Sequence, residues 1–176
     1  MSDDLRYPIG RFRYDGPAAP ELRRERIGNI AALPHALAAA IDPLSASQLD
    51  TEYRPGGWTV RQVVHHIADS HSNACIRFRL ALTEDEPTIK VYDQVRWAEL
   101  ADVRAAEPQV SLWLLEGLHR RWTLLLEALA EEDFERRLVH PEHGRMTLDY
   151  LLALYAWHGR HHVAHITALR ERNGWV

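Results

Sequence analysis

Apolar residues recur at intervals of three and four positions in four long segments of the chain, and strand-like alternation is scarce between them. The segments run from about 20 to 41, from 60 to about 82, from 108 to about 132 and from 148 to 173. Four amphipathic helices of roughly 20 residues are typical of a helix bundle. The sequence therefore predicts an all-α four-helix bundle, with residues 1–176 forming a single domain.

Capping residues indicate where these helices begin and end. Thr59 stands three residues before Gln62, which is the spacing of a capping box, and Thr147 is placed as the N-cap of the fourth helix. Asn173-Gly174 supplies a stop at the end of that helix. Pro34 lies inside the first helix, so we expect a kink or a division there.

Two of the connections between helices are informative. Residues 83–107 form a long link between the second and third helices, and links of that length are usually functional or partly helical. Within this link Tyr92, Asp93 and Trp97 are candidates to cover a pocket, with plain loop packing as the alternative. Residues 136–146 are polar and are expected to contain a short hairpin.

Composition and charge exclude several classes of protein. The net charge of −4 gives no basic footprint for nucleic acid, and no apolar run approaches the roughly 20 residues that span a bilayer. The first residues, MSDDLRYPIGRF, lack the features of a signal peptide, and a single cysteine fits a reducing compartment. We therefore expect a cytoplasmic protein that binds neither nucleic acid nor membrane. Cys75 is expected to pack in the interior.

Histidines cluster in two helical segments, HHIADSH and HGRHHVAH, which hold seven of the eleven. At about 100° per residue, His66 lies at the edge of the apolar stripe of the second helix and points inward, close to Asp69. His65 points toward solvent in the same projection, and His71 lies on the opposite flank of the stripe. Of these three histidines, only His66 combines an inward direction with polar neighbours.

The fourth helix carries two pairs of histidines at the i, i+4 spacing, which places two side chains on one face. The pairs are His158 with His162 and His161 with His165, and the spacing alone does not choose between them. A lone buried histidine is usually a hydrogen-bonded core residue, but several packed together without a cation leave polar groups that each cost about 1–3 kcal/mol. Two imidazoles from this helix and one from a facing helix would hold a divalent ion with an open position, as catalytic sites do.

The longest motifs of the chain resemble a known family. GGWTVRQVVHHIADSH, CIRFRLALTEDEPTIKVYDQVRWAEL and YAWHGRHHVAHI, together with LRYPIGRF and LHRRW, are similar to the YfiT group of the DinB-like superfamily. The resemblance implies a homodimeric four-helix bundle that binds one divalent metal through three histidines. It implies His66, His161 and His165 as those ligands, and leaves His158 and His162 beside the ligands or facing substrate. Imidazole ligands suit several divalent ions, of which we expect zinc or nickel.

The resemblance implies two kinds of chemistry and leaves a third reading open. The one we favour is transfer of a low-molecular-weight thiol such as bacillithiol to an electrophile, because a three-histidine ion can generate a thiolate and no residue is placed as a hydrolytic base. The alternative is hydrolysis by water activated on the metal. A non-catalytic bundle that uses its ion for stability is the third, and a fourth protein ligand would distinguish it. Asp69 and Glu116 of the third helix are candidates for the base that hydrolysis needs, and spacing fixes neither position. The pair Arg120-Arg121 could meet an anionic thiol, with a surface salt bridge as the alternative.

Overall fold

The computed structural model describes residues 2–175, which form eight α-helices, one 3-10 helix and one β-hairpin. In chain order the elements are α1 (Ser2–Arg6), α2 (Pro20–Ile41), α3 (Ala46–Leu49), α4 (Val60–Thr83), α5 (Gln94–Trp97), α6 (Ala101–Ala105), α7 (Pro108–Glu127), a 3-10 helix (Glu131–Glu135), β1 (Arg137–His140), β2 (Gly144–Thr147) and α8 (Leu148–Asn173). None of the helices in this part of the chain has the length and apolar character that crossing a bilayer requires.

The predicted caps of the long helices are confirmed. Thr59 Oγ1 accepts a hydrogen bond from the Gln62 amide at 3.2 Å, and the Gln62 side chain accepts one from the Thr59 amide at 2.9 Å. Thr147 Oγ1 accepts a bond from the Tyr150 amide at 3.1 Å at the start of α8. The same helix ends at Gly174, whose φ of 63° is a left-handed conformation that glycine adopts without strain. These contacts define where α4 and α8, the two histidine-bearing helices, begin and end.

Two points in the long helices bear on the sequence prediction. Of the two outcomes expected at Pro34, a kink or a division, the division does not occur, and α2 runs unbroken with the buried Leu33 and Leu37 on either side of the proline. The third helix ends at Glu127 rather than near residue 132. Past that point Asp133 accepts a hydrogen bond from the Ala130 amide, and this local bond favours a 3-10 turn over continued α-helix.

The connecting segments follow the sequence prediction. The 83–107 link contains two short helices, α5 and α6, and residues 137–147 form the antiparallel β1–β2 hairpin. Asp93 caps α5 by accepting hydrogen bonds from the amides of Val95 and Arg96 at 3.1 and 3.0 Å. The link therefore places an ordered helical turn beside the bundle.

The four long helices enclose two hydrophobic clusters, with α2 and α4 each packed against both α7 and α8. One cluster includes Phe78, Trp122 and Leu152, and the other includes Leu37, Val63 and Leu115. Between them, across the middle of the bundle, lies a set of histidines from α4, α7 and α8, which we call the histidine layer; His158 is half-buried and the others are buried. Its members are His66, His71, His119, His158, His161, His162 and His165.

The segment before α2 packs along the first half of α8. Phe12 contacts the rings of Tyr150 and Trp157 at centroid distances of 5.5 and 5.8 Å. The buried carboxylate of Asp149 accepts hydrogen bonds from the Tyr14 hydroxyl at 2.9 Å and from Arg23 Nε at 2.7 Å. This segment therefore buries its aromatic side chains within its own chain and fixes the direction in which α8 leaves the hairpin.

Candidate metal centre

Three imidazoles of the histidine layer present nitrogens to one another across two helices. His66 of α4 and His158 and His162 of α8 each offer one nitrogen, and these nitrogens all lie within 4.8 Å of one another. The Nε2 atoms of His66 and His158 are 3.4 Å apart. Three ligands of a tetrahedral zinc ion at 2.0–2.1 Å would be about 3.4 Å apart. The arrangement thus fits a divalent ion after a small inward rotation of the side chains.

The hydrogen bonds behind His158 define which of its nitrogens is free. Its Nδ1 lies 3.2 Å from Nε2 of His71, which is fully buried on α4. When the Nδ1–H of His158 donates to His71, the Nε2 lone pair of His158 faces His66. Metal-binding histidines usually donate their second N–H in this way, which fixes the tautomer and the orientation of the ring.

A similar chain of contacts lies behind His162. Nδ1 of His162 is 3.4 Å from Nδ1 of His165, and Nε2 of His165 is 3.0 Å from the backbone carbonyl of Arg6. The consistent assignment has His165 donating from Nε2 to the carbonyl and accepting at Nδ1 from His162. This leaves Nε2 of His162 free. His165, which the family resemblance implied as a ligand, here holds the ring of His162.

His161, the other ligand implied by the resemblance, lies to one side of this group. Its ring stacks on Trp157 at 4.3 Å and contacts His165 edge-on at 4.2 Å, and its Nδ1 is buried without a hydrogen-bond partner in the described chain. His66 has ring contacts with His158 and His162 at 5.4 and 4.9 Å, and none with His161 among the described residues. Of the two i, i+4 pairs that the sequence left open, the geometry favours His158 with His162. The identity of the ligands remains a prediction.

His119 of α7 extends the histidine layer on the side of His71. Its Nδ1 is 2.6 Å from the carbonyl of Ile30, so Nδ1 is the donor and Nε2 carries a lone pair. The two rings stack at 5.0 Å, and both Nε2 of His119 and Nδ1 of His71 are buried without a partner in the described chain. One of these atoms is an acceptor and the other a donor. His119 therefore packs against His71 by ring stacking, and the contact of His71 Nε2 with Nδ1 of His158 at 3.2 Å links the two to the site.

Burial keeps these imidazoles neutral. Loss of solvation lowers the pKa of His66 to about 4 and that of His119 to about 4. Burial, followed by the neighbouring imidazoles, also places the pKa of His71, His158 and His162 well below its usual value. Neutral imidazoles can bind a cation without first releasing a proton, so at neutral pH the three nitrogens are ready for a metal.

Two cavities flank the three histidines. One, of about 620 Å³, is lined by His158 together with side chains of α4, the hairpin and the 91–95 segment. The other, of about 430 Å³, is lined by His161, His162 and His165 with Tyr7, Tyr53, Arg54 and Trp58. Gln94 and Val95 at the start of α5 line both. A helical turn of the long link therefore lies between the cavities, next to the histidine nitrogens.

The other side chains named in the sequence analysis lie in three different surroundings. Asp69 is half-buried, and burial, followed by the charge of Asp102, raises the pKa of its carboxyl to about 6. Tyr92 and Asp93 line the larger cavity, and Trp97 packs on Tyr92 at 4.4 Å. Cys75 is buried in a hydrophobic cluster, which confirms its packing role.

The prediction that His65 faces solvent is wrong. The residue is buried, with Nδ1 2.7 Å from Ser111 Oγ on α7 and Nε2 3.3 Å from the Ala106 carbonyl. His65 lies on the side of α4 that is covered by α7 and by the 83–107 link. Arg120 and Arg121 are exposed on α7, and Arg120 lines a separate groove between α2 and α7. Their exposure, away from the two cavities beside the histidines, argues against contact with an anionic thiol there, and neither arginine forms the alternative salt bridge among the described residues.

Sequence reasoning missed two groups of residues. One is His119, and the other is the hairpin turn, where His140, Glu142 and His143 bring potential ligand atoms within 4.8 Å of one another. Neither lies in the two histidine-rich segments. The spacing His140-Pro-Glu-His143 is a signal that could have identified the turn, and the signal for His119 was its place in the LHRRW motif.

Gly159 explains how α8 approaches α2 so closely beside the histidines. A Cβ atom at this position would lie 2.5 Å from Cδ2 of the buried Leu33. The bare backbone of glycine therefore permits the contact that places His158 and His162 over the centre of the bundle.

Taken together, these features define a four-helix bundle with a buried histidine layer that opens onto two cavities. Residues 29–166 match the model of the DinB superfamily, and the chain belongs to that family.

Relatives of known sequence and structure extend the match over the full chain. A protein of Bacillus cereus (strain G9842), named "Putative metal-dependent hydrolase", is 55% identical over 173 residues, covering 98% of this chain and 99% of its own. A protein of Bacillus mycoides (strain KBAB4) with the same descriptive name is 55% identical over 172 residues, with the same coverage.

The structure of YfiT from Bacillus subtilis superposes with a TM-score of 0.96 at 48% identity, covering 98% of this chain and 99% of that one. YfiT is described as a "probable metal-dependent hydrolase with an unusual four-helix bundle topology".

Proposed function

We propose that this protein is a metal-dependent enzyme of the YfiT type that transfers a low-molecular-weight, bacillithiol-like thiol to an electrophilic substrate. The observation that carries the proposal is the convergence of three neutral imidazoles, His66, His158 and His162, beside two separate cavities. The names of the full-length relatives support dependence on a metal. Zinc and nickel are the ions we propose, since imidazole suits both.

A divalent ion held by three neutral ligands keeps its full charge, so it would supply Lewis acidity that lowers the pKa of a bound thiol or water. The protein's own contribution is orientation. His71 and His165 hold the rings of His158 and His162 so that one nitrogen of each is directed at the site. Trp58, 4.5 Å from the ring of His66, covers that ligand on the side of the smaller cavity.

Two cavities beside one centre suit a reaction with two substrates. His158 lines the larger cavity and His162 lines the smaller one, so a molecule in either would approach the same three nitrogens. A thiol bound on one side and an electrophile on the other would meet at the centre, and neither would have to pass through the bundle. This arrangement favours transfer over hydrolysis, for which one substrate cavity would suffice.

We expect the metal-loaded protein to accelerate conjugation of an electrophilic fluorophore with one thiol out of a panel of cysteine, glutathione, bacillithiol and mycothiol. The metal-free protein and the His66→Gln variant should show no rate above background, because one of the three proposed ligands is then lost. The rate of fluorophore conjugation is the measurement. The exposed His35 provides the matched control, since His35→Gln should leave the rate unchanged.

Hydrolysis is the second candidate, and the names of the relatives favour it. Asp69, with its pKa raised to about 6, is the best available base for activating water. Metal-dependent ester or amide cleavage without conjugation to any thiol in the same panel would establish hydrolysis and exclude the transferase. A closed site with a fourth protein ligand and neither activity would point to a structural ion.

We also propose that the protein is a homodimer that buries the outer face of α7. Four large apolar side chains lie on this face at helical spacing and are 52–64% exposed, namely Val110, Trp113, Leu114 and Leu124. The aromatic residues before α2, by contrast, are already packed on α8. The remaining exposed apolar surface thus points to α7 as the contact.

Light scattering at micromolar concentration is expected to report about twice the chain mass of 20.3 kDa. Trp113→Glu should give the single-chain mass, because it places a charge at the centre of the proposed contact. Ile76→Glu, at an equally exposed apolar position on α4, is the control and should stay dimeric. A mass of one chain for the unmodified protein would exclude the dimer.

A further inference from the structure

The larger cavity contains an arginine that the proposed chemistry leaves unused. Arg77 lies on α4, half-buried, and its Nη1 donates a hydrogen bond to the hydroxyl of Tyr155 at 3.1 Å. Tyr155 precedes His158 by nearly one turn of α8, and their rings are 5.8 Å apart. Arg77 and His158 line the same 620 Å³ cavity. A positive charge therefore lies in the cavity that His158, one of the three proposed ligands, also lines.

This charge has no carboxylate partner among the described residues. The ion pairs of that part of the chain involve other arginines. Two acidic residues line the cavity, and neither forms an ion pair with Arg77. Asp93 uses its carboxylate to cap α5, and Glu142 is exposed on the hairpin turn beside His140 and His143. The guanidinium of Arg77 therefore has further N–H donors and a positive charge with which it can bind an anion that enters from solvent.

Neutral hydroxyl groups line the same cavity as Arg77. The hydroxyls of Tyr92 and Tyr155 both interact with the side chain of Ser70, and burial raises the pKa of both tyrosines, so they stay protonated. Apolar side chains, including Val91, Leu151 and Leu154, line the rest of the wall. An arginine with nearby hydroxyls in an apolar wall is a typical carboxylate-binding arrangement.

We propose that the larger cavity binds the thiol substrate of the proposed transferase, with a carboxylate of that substrate paired to Arg77 and its thiol directed to the histidines. The inference rests on the proposed function and adds the substrate class, a low-molecular-weight thiol that carries a carboxylate. The backbones of Arg77 and His66 are eleven residues apart on α4, about 16 Å along the helix axis, and the Arg77 side chain shortens this span by reaching Tyr155 beside His158. The substrate that fits this span has a carboxylate several bonds from its thiol.

S-methylglutathione tests the carboxylate site separately from thiol chemistry, because it carries the carboxylates of a tripeptide thiol and has no free thiol. Titration calorimetry with the zinc-loaded protein should show binding that weakens by about tenfold or more when the probe is its diethyl ester. Arg77→Gln should weaken binding of the free acid by a similar factor and leave the ester unchanged. Arg77→Lys should recover part of the affinity. Arg79→Gln, an exposed position on the same helix, is the matched control and should bind like the unmodified protein.

Equal affinity of the Arg77→Gln variant and the unmodified protein for the free acid would overturn the proposal, as would equal affinity for acid and ester or no binding of the acid. The proposed thiol chemistry has a separate readout. Cobalt-loaded protein should develop a thiolate charge-transfer band with glutathione, and a missing band would count against thiol activation while the calorimetry still decides the role of Arg77.

Discussion

Replacing His158 or His162 with glutamine is expected to remove most of the divalent metal from the purified protein, whereas His161→Gln is expected to retain it. The reason is geometric. His66, His158 and His162 bring their nitrogens within 4.8 Å of one another, while His161 stacks on Trp157 outside this group. Losing one of three proposed protein ligands leaves two, which would hold the ion weakly. Elemental analysis of each purified variant is the measurement.

His165→Gln should behave differently from the ligand variants His158→Gln and His162→Gln. It should also differ from His161→Gln, which is expected to retain the metal. Its imidazole lies 3.4 Å from that of His162 and 3.0 Å from the carbonyl of Arg6, so it orients a proposed ligand without being one. Partners of this kind typically contribute 10–100-fold to metal affinity. We therefore expect His165→Gln to bind metal with a weaker dissociation constant and unchanged stoichiometry. The exposed His35→Gln variant controls for the loss of a histidine as such.

Far-UV circular dichroism should show that each variant retains its helices, so that loss of metal is not loss of fold. If His161→Gln and His165→Gln lose the ion while His158→Gln keeps it, the ligand set implied by the family resemblance is correct. The histidine rings of α8 would then have to rotate so that His161 and His165, rather than His158 and His162, direct nitrogens toward His66. The experiment thus decides between the two i, i+4 pairs.

The bundle and its helix ends could be predicted from the sequence because their causes are local. Thr59 and Gln62 form a capping box within four residues, and Gly174 ends α8 in the conformation that glycine favours. The hairpin and the helical content of the long link also follow from short-range signals. Of the two outcomes expected at Pro34, the division of α2 does not occur, because the neighbours of the proline pack into the bundle on both sides of it.

The site was only partly predictable because it depends on which helix covers which face. A projection of α4 places His65 away from the apolar stripe, but it does not include Ser111 of α7, which covers that face. His119 joins the layer through a hydrogen bond to Ile30, 89 positions away in the sequence. Likewise, the choice between His161 and His162 depends on the ring orientation that His165 and Arg6 impose. None of these contacts is encoded in spacing along one helix.

The metal-free protein is expected to lose stability steeply as the pH falls from 7 toward 4. Burial lowers the pKa of His66 and of His119 to about 4, whereas an unfolded histidine has its ordinary value of about 6.5. Between these values the unfolded chain binds more protons, so the free energy of unfolding decreases with decreasing pH. His119 alone would account for about 3 kcal/mol by pH 4, against a typical total of roughly 5–15 kcal/mol.

One group in the interior acts in the opposite direction. The pKa of Asp69 is raised to about 6, so its folded form gains a proton before the unfolded form does, and acidification through this range stabilises the fold. At least five histidines with lowered pKa values outweigh this single carboxyl, namely His66, His71, His119, His158 and His162. The net direction is therefore acid destabilisation.

His119 is the best position at which to test the cause, because it does not contact the proposed metal ligands directly. Urea denaturation of the metal-free protein should be compared at pH 7 and pH 4.5 for the unmodified chain, His119→Gln and His35→Gln. His119→Gln removes one titrating group, so its loss of unfolding free energy over this interval should be smaller by about 2–3 kcal/mol. The exposed His35→Gln should match the unmodified chain. An unchanged pH dependence in His119→Gln would mean that its imidazole is solvated or paired well enough to titrate normally, and that burial in the histidine layer does not suppress its charge.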